Sequence, residues 1–182
     1  MANISATKSK NLASNAGGSF KITAYFEETG TEQNKSQITA KATLSRNSGG
    51  FEVTNGGTLR LYWHDDNNNT DELLGSLVVS KLSSNYPTAK SITKTIEKEH
   101  KADGTLSGYV KVTWTKDRSY DYVPNTGNVS TENTTLTTIS QGTIRICQNG
   151  TYYKAKAYIG IAGEWKLCTT YIGKNGNWLK GS

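Results

Sequence analysis

Two histidines hold the acid–base potential of this sequence: His64 in His64-Asp65-Asp66 and His100 in His100-Lys101-Ala102-Asp103. General acid–base catalysis needs a group that titrates near neutrality, or a suitably spaced pair of carboxylates. A histidine beside acids would suit proton transfer or metal ligation. Both residues fall at the ends of strand patterns, where polar, solvated loop positions are the ordinary outcome. The expectation is two solvated loop histidines and no catalytic residue. The run Asp65-Asp66-Asn67-Asn68-Asn69-Thr70-Asp71-Glu72 is rich in oxygen ligands for calcium. It lacks the glycine and terminal glutamate positions of an EF-hand loop and reads as a flexible acidic loop. Cys147 and Cys168 are too few for a disulfide framework and too isolated for a metal cluster. They read as strand residues. No Gly-x-Ser-x-Gly, His-Glu-x-x-His, phosphate-loop or Gly-x-Gly-x-x-Gly pattern occurs. The expectation is a non-enzymatic protein without cofactor or metal.

The remaining chemistry is that of recognition. Gly150, Gly163 and Gly176 are spaced 13 residues apart, as are Tyr152, Trp165 and Trp178, and as are Ile146, Ile159 and Ile172. Three tandem 13-residue units of strand, tight turn and strand account for this spacing. Asn149-Gly150 and Asn175-Gly176 suit two-residue hairpin turns, because both residue types tolerate positive φ. From Thr143 onward, Arg145, Lys154, Lys156, Lys166, Lys174 and Lys180 face a single acid, Glu164. Most of the formal net charge of +6 is therefore C-terminal. Tyr152, Trp165 and Trp178, with Lys154, Lys166 and Lys180, form a candidate ligand-binding set. The aromatics would stack on sugar rings, and the lysines would attract an anionic polymer. The competing reading makes the aromatics inward anchors of the hairpins and the lysines solvent-facing guards of strand edges. The basic residues carry no recognised nucleic-acid reading element, and no apolar run of about 18 residues spans a membrane.

The elements that position these residues read as strands. Of 182 residues, 34% are hydrophobic and 20% charged, so Ser, Thr, Asn and Gly supply the polarity. Phe20, Ile22, Ala24 and Phe26 alternate with polar residues, and Ile38, Ala40, Ala42 and Leu44 repeat the pattern. Leu59, Leu61 and Trp63, then Val110, Val112 and Trp114, give two more inward faces. Turns are expected at Asn47–Gly50 and Asn55–Gly57, and a tight hairpin at Ala102–Thr105. About seven short strands separated by turn signals predict an all-β antiparallel β-sandwich. The expected organisation is a flexible N-terminal arm over 1–18, the sandwich over 19–140, and a module of three β-hairpin repeats over 143–182.

From about Ser19 to Ile139 the chain resembles minor structural, tail-associated proteins of tailed phages (siphoviruses) that infect Gram-positive bacteria. The resemblance rests on Lys94 to Thr105 with the following alternation to Trp114, on Thr135-Leu136-Thr137-Thr138-Ile139, and on the C-terminal Asn-Gly repeats. After Ile139 the sequence departs from the pattern: Ser140-Gln141-Gly142 stands where such proteins often continue with Pro-Arg. The resemblance implies a virion role and no catalytic residue. Met1–Ser5 contain no apolar signal region, so the expected location is the virion, with synthesis in the host cytoplasm. Expected partners are other virion proteins, a Gram-positive surface polysaccharide and copies of the same chain, as a homotrimer, with no nucleic acid and no membrane. The expected task is host-surface glycan binding. The alternatives are a purely structural decoration or connector, docked through the arm Met1–Gly18, and a bacterial cell-wall-binding module.

Overall fold

A computed structural model describes residues 4–32, 34–101 and 103–139, and the C-terminal segments 145–148, 151–154, 158–161, 163–167, 171–174 and 177–180. Among these residues the protein is all-β, and two antiparallel sheets pack face to face as a sandwich. One sheet orders β1 (Ser5–Ala13), β2 (Ser19–Glu32), β3 (Lys35–Ser48) and β6 (Ala89–Glu99). The other orders β5 (Thr70–Leu82), β4 (Phe51–Asp65), β7 (Ser107–Lys116) and β8 (Gly127–Ser130), with β9 (Thr134–Thr135) also paired to β7.

The period-two faces read from the sequence form the core. Phe20, Ile22, Ala24 and Phe26 of β2 are fully buried, as are Ile38, Ala40, Ala42 and Leu44 of β3. Leu59, Leu61 and Trp63 of β4 and Val110, Val112 and Trp114 of β7 are buried opposite them. The first sheet is small at its centre, where Ala24 pairs with Ala42, and the second contributes two indoles, so bulk and space complement each other across the interface. Phe26 meets Trp63 edge-on, with centroids 5.7 Å apart and planes at 89°. Each indole also lies across a glycine of the neighbouring strand. A Cβ on Gly57 would come within 2.5 Å of Trp114 Cζ2, and one on Gly108 within 2.5 Å of Trp63 Cζ2.

Three expectations are corrected. Residues 5–13 are not an arm: β1 pairs with β2 from Ser5–Glu27 to Ala13–Ser19, and Leu12 is buried. Most β1 side chains are exposed, so an edge strand held mainly by ladder hydrogen bonds leaves no hydrophobic period in its sequence. Asn55–Gly57 is not a turn but lies inside β4, at an irregularity in its pairing with β5. There glycine makes room for rings instead of reversing the chain, since a Cβ on Gly56 would meet Phe51 Cε2 at 2.5 Å. The turn at 101–105 does form: Gly104 N donates to Lys101 O, and Asp103 Oδ1 accepts from Thr105 N. It is no hairpin, because β6 pairs with β3 and β7 with β4. It carries the chain from one sheet to the other, and local turn chemistry does not specify which strands then pair.

After the sandwich come three antiparallel pairs: β10 (Arg145–Gln148) with β11 (Thr151–Lys154), β12 (Tyr158–Ile161) with β13 (Glu164–Leu167), and β14 (Tyr171–Lys174) with β15 (Asn177–Lys180). Each forms its own two-stranded sheet among the described residues.

Candidate functional site

The candidate ligand set occupies the second strand of each pair. Tyr152 is registered opposite Cys147, Trp165 opposite Gly160, and Trp178 opposite Gly173. The aromatic thus recurs at one register position, across from a small residue. Lys154 and Lys180 also share a register position, opposite Arg145 and Tyr171. Lys166 does not: it pairs with Ile159, and Leu167 holds the matching place opposite Tyr158. The six side chains themselves, and Cys168, lie outside the described residues. In β12, Tyr158, Ile159, Gly160 and Ile161 are all exposed. Successive strand residues point to opposite faces, so both faces of this strand are open.

Neither histidine is a solvated loop residue. His100 is buried, at 5% exposure, inside a polar network at one end of the sandwich. Its Nδ1 lies 2.8 Å from the carbonyl oxygen of Gly104, and its Nε2 lies 2.7 Å from Ser36 Oγ. The Ser36 hydroxyl also bonds Glu28 Oε1. Glu28 Oε2 accepts from Thr137 N, at 3.0 Å, and from the Thr137 hydroxyl. Protons can be counted from these partners. A carbonyl only accepts, so Nδ1 carries hydrogen. Ser36 has one hydrogen for two neighbours. It donates to Glu28 Oε1 and meets His100 Nε2, so one hydroxyl links the two buried side chains. The serine stands between base and acid, whereas a nucleophilic triad places the histidine between serine and acid. Ser36 is also fully buried. This network is a clamp joining β2, β3, the 100–104 turn and the segment after β9.

His64 lies at the same end, in the last turn-ward residues of β4, paired with Asp71 of β5 and Tyr109 of β7. Its Nδ1 is 2.8 Å from Asp71 Oδ1 and its Nε2 is 3.5 Å from Asp66 Oδ1. Its ring stacks on Tyr109, with centroids 4.3 Å apart. Both ring nitrogens face carboxylates, so neither is presented to a substrate. Asp71 Oδ2 accepts from Lys111 Nζ at 2.6 Å. That hydrogen bond, with the one from His64, holds the Asp71 carboxyl below its ordinary range, and the same bond raises Lys111. The acidic run is a tied turn: Asp65 accepts from Asn67 N and Asn68 Nδ2, Glu72 pairs with Lys98, and Asp66 accepts from Asn133. Its carboxylates are spent on protein donors, and among the described residues no group of three or more His, Cys, Asp or Glu side chains is arranged to hold a metal ion. Spacing flagged His64 and the acidic run. Nothing flagged Glu28 or Ser36, which sit on the inward phase of strands whose other inward residues are apolar. That phase was the available signal.

No protein-family model matches the chain, and no curated protein matches it.

Proposed function

We propose that this chain is a minor structural protein of a tailed-phage virion, tail- or fibre-associated, that helps bind a glycan on the surface of a Gram-positive host. One observation carries the recognition part. Tyr158, Ile159 and Ile161 are each about half exposed, at 52%, 51% and 48%, within a single four-residue strand. Apolar groups that stay in water at this density mark interaction surfaces. A two-stranded hairpin is also marginal alone, so the tandem pairs call for a partner. The register adds Tyr152, Trp165 and Trp178 at one recurring position, and the C-terminal charge suits phosphate-bearing wall polymers. The virion assignment draws support from the resemblance of residues 19–139 to phage minor structural proteins.

The test is binding of labelled full-length protein to intact cells and to purified wall fractions, at low and high salt. The expected result is salt-sensitive binding that is lost in a folded Trp165→Ala/Trp178→Ala variant. Absence of binding to every wall fraction would reduce the role to that of a decoration or connector.

A further inference from the structure

The opposite end of the sandwich from the His100 clamp holds an open cleft of about 380 Å³, between the β3–β4 connection, the β5–β6 connection and the 117–126 loop. Gly49, Gly50, Phe51, Glu52, Ser83, Ser84, Asn85 and Tyr122 line it. Its volume falls in the roughly 300–1,000 Å³ range of small-ligand sites. Tyr122 is the largest group in it. Tyr120, packed against the core, stacks on Tyr122 with centroids 5.7 Å apart and planes at 19°. That contact fixes the Tyr122 ring while leaving the residue 40% exposed. Gly50 has a φ of 158°. A Cβ there would come within 2.7 Å of Leu82 O and Ser83 Cβ, so two of the three connections meet backbone to backbone at the cleft floor.

The polar groups beside the ring are a carboxylate, two hydroxyls and an amide. Glu52 Oε1 accepts from Ser83 Oγ at 3.0 Å. Its second oxygen bonds no other described residue, and neither does the Asn85 side chain. We infer that this cleft binds an uncharged sugar ring of a surface polysaccharide, its apolar face on Tyr122 and its hydroxyls bonded to Glu52, Ser84 and Asn85. An aromatic face flanked by planar hydrogen-bonding groups matches the amphipathic character of a pyranose. The Glu52 carboxylate repels phosphate and uronate at this position, and the Arg46 guanidinium at the rim is engaged by the Gly49 carbonyl, 3.0 Å away. The inference shares the ligand class of the proposed function but none of its residues, and it separates two chemistries: neutral sugar at the cleft, anionic polymer at the C-terminal repeats.

The experiment is an amide-resolved NMR titration of the full-length protein. One arm uses neutral wall oligosaccharide and the other poly(glycerol phosphate). Neutral oligosaccharide should shift the amides of Gly49, Gly50, Glu52, Ser83 to Asn85 and Tyr122, alike at low and high salt, and poly(glycerol phosphate) should leave them unmoved. Tyr122→Ala should weaken binding about tenfold, the loss of one stacking contact. Tyr122→Phe, which keeps the ring, should bind within about twofold, and the melting temperature of each variant reports folding. Neutral oligosaccharide that leaves these amides in place, or a folded Tyr122→Ala variant that binds as wild type, would overturn the inference. Wall binding lost only in Trp165→Ala/Trp178→Ala would sink the cleft and keep the repeats as the binding site. Cleft shifts that persist in that double variant would uphold the cleft without them.

Discussion

At the scale of single residues, the decisive groups are buried polar side chains, not exposed catalytic ones. Ser36 bridges Glu28 and His100 with both neighbours buried. Replacing it with Ala leaves a carboxyl oxygen and an imidazole nitrogen facing a methyl group. The cost of unpaired buried polar atoms is about 1–3 kcal/mol, so Ser36→Ala should lower the urea midpoint accordingly with an unchanged m-value. A loss under about 0.5 kcal/mol, typical of surface substitutions, would show that the bridge contributes nothing. Asp71 gives a pH signature. Its folded pKa is depressed, chiefly by the Lys111 hydrogen bond, so its stabilisation is present above the ordinary carboxylate pKa and lost as pH falls through the folded value. Asp71→Asn should therefore be less stable than wild type at neutral pH. The two stabilities should converge in acid, once pH has fallen through the depressed folded-state pKa of Asp71. A gap that persists in acid would mean the carboxylate's charge is irrelevant there.

At the scale of elements, the strands alternate as sequence period requires, but their pairing is set by packing between sheets. The indoles of Trp63 and Trp114 need glycine on the adjacent strand, and Gly108 and Gly57 supply it. Gly57→Ala and Gly108→Ala should each destabilise by about 1–3 kcal/mol, the usual cost of overpacking a close-packed site. Helix or strand propensity alone favours alanine over glycine, so the direction of the change discriminates. A stabilised alanine variant in chemical denaturation would refute the close approach. The same packing explains β1. Its ladder to β2 places Leu12 at the core margin, and a pattern search over a mostly exposed strand has nothing to detect.

At the scale of the molecule, a two-sheet sandwich is followed by three short two-stranded units, and β12 in the middle one exposes apolar residues. Such units gain most by packing against copies of themselves, and closed symmetry is the default for self-association. The expected assembly is a homotrimer held partly through residues 143–182. Light scattering should give a trimer mass for the full chain and a monomer mass for a version ending at Gln141. A monomeric full chain at micromolar concentration would remove the trimer. The cleft at Tyr122 and the C-terminal strand pairs share no residue, so substitutions test the two recognition proposals independently.

The all-β class and the inward faces of the four central strands were legible in the residues alone, because a period of two reports which residues of a strand face inward wherever one face is apolar; Leu12, Phe51, Leu82, Leu106, Val123 and Val129, which complete the core from strand ends, an edge strand and loops, were not. Phe20 to Phe26, Ile38 to Leu44 and Leu59 to Trp63 were legible for that reason. The 13-residue spacing of the C-terminal strands was legible too. That the 101–105 turn crosses between sheets, that residues 5–13 form a strand and that His100 is buried emerges from the packed fold. Each of these depends on partners distant in sequence: Glu27 faces Ser5 in the β1–β2 ladder, and Ser36 meets His100 across 64 positions. Turn chemistry and polarity are local properties, whereas strand pairing and the burial of a polar group are fixed by what the rest of the chain brings against them.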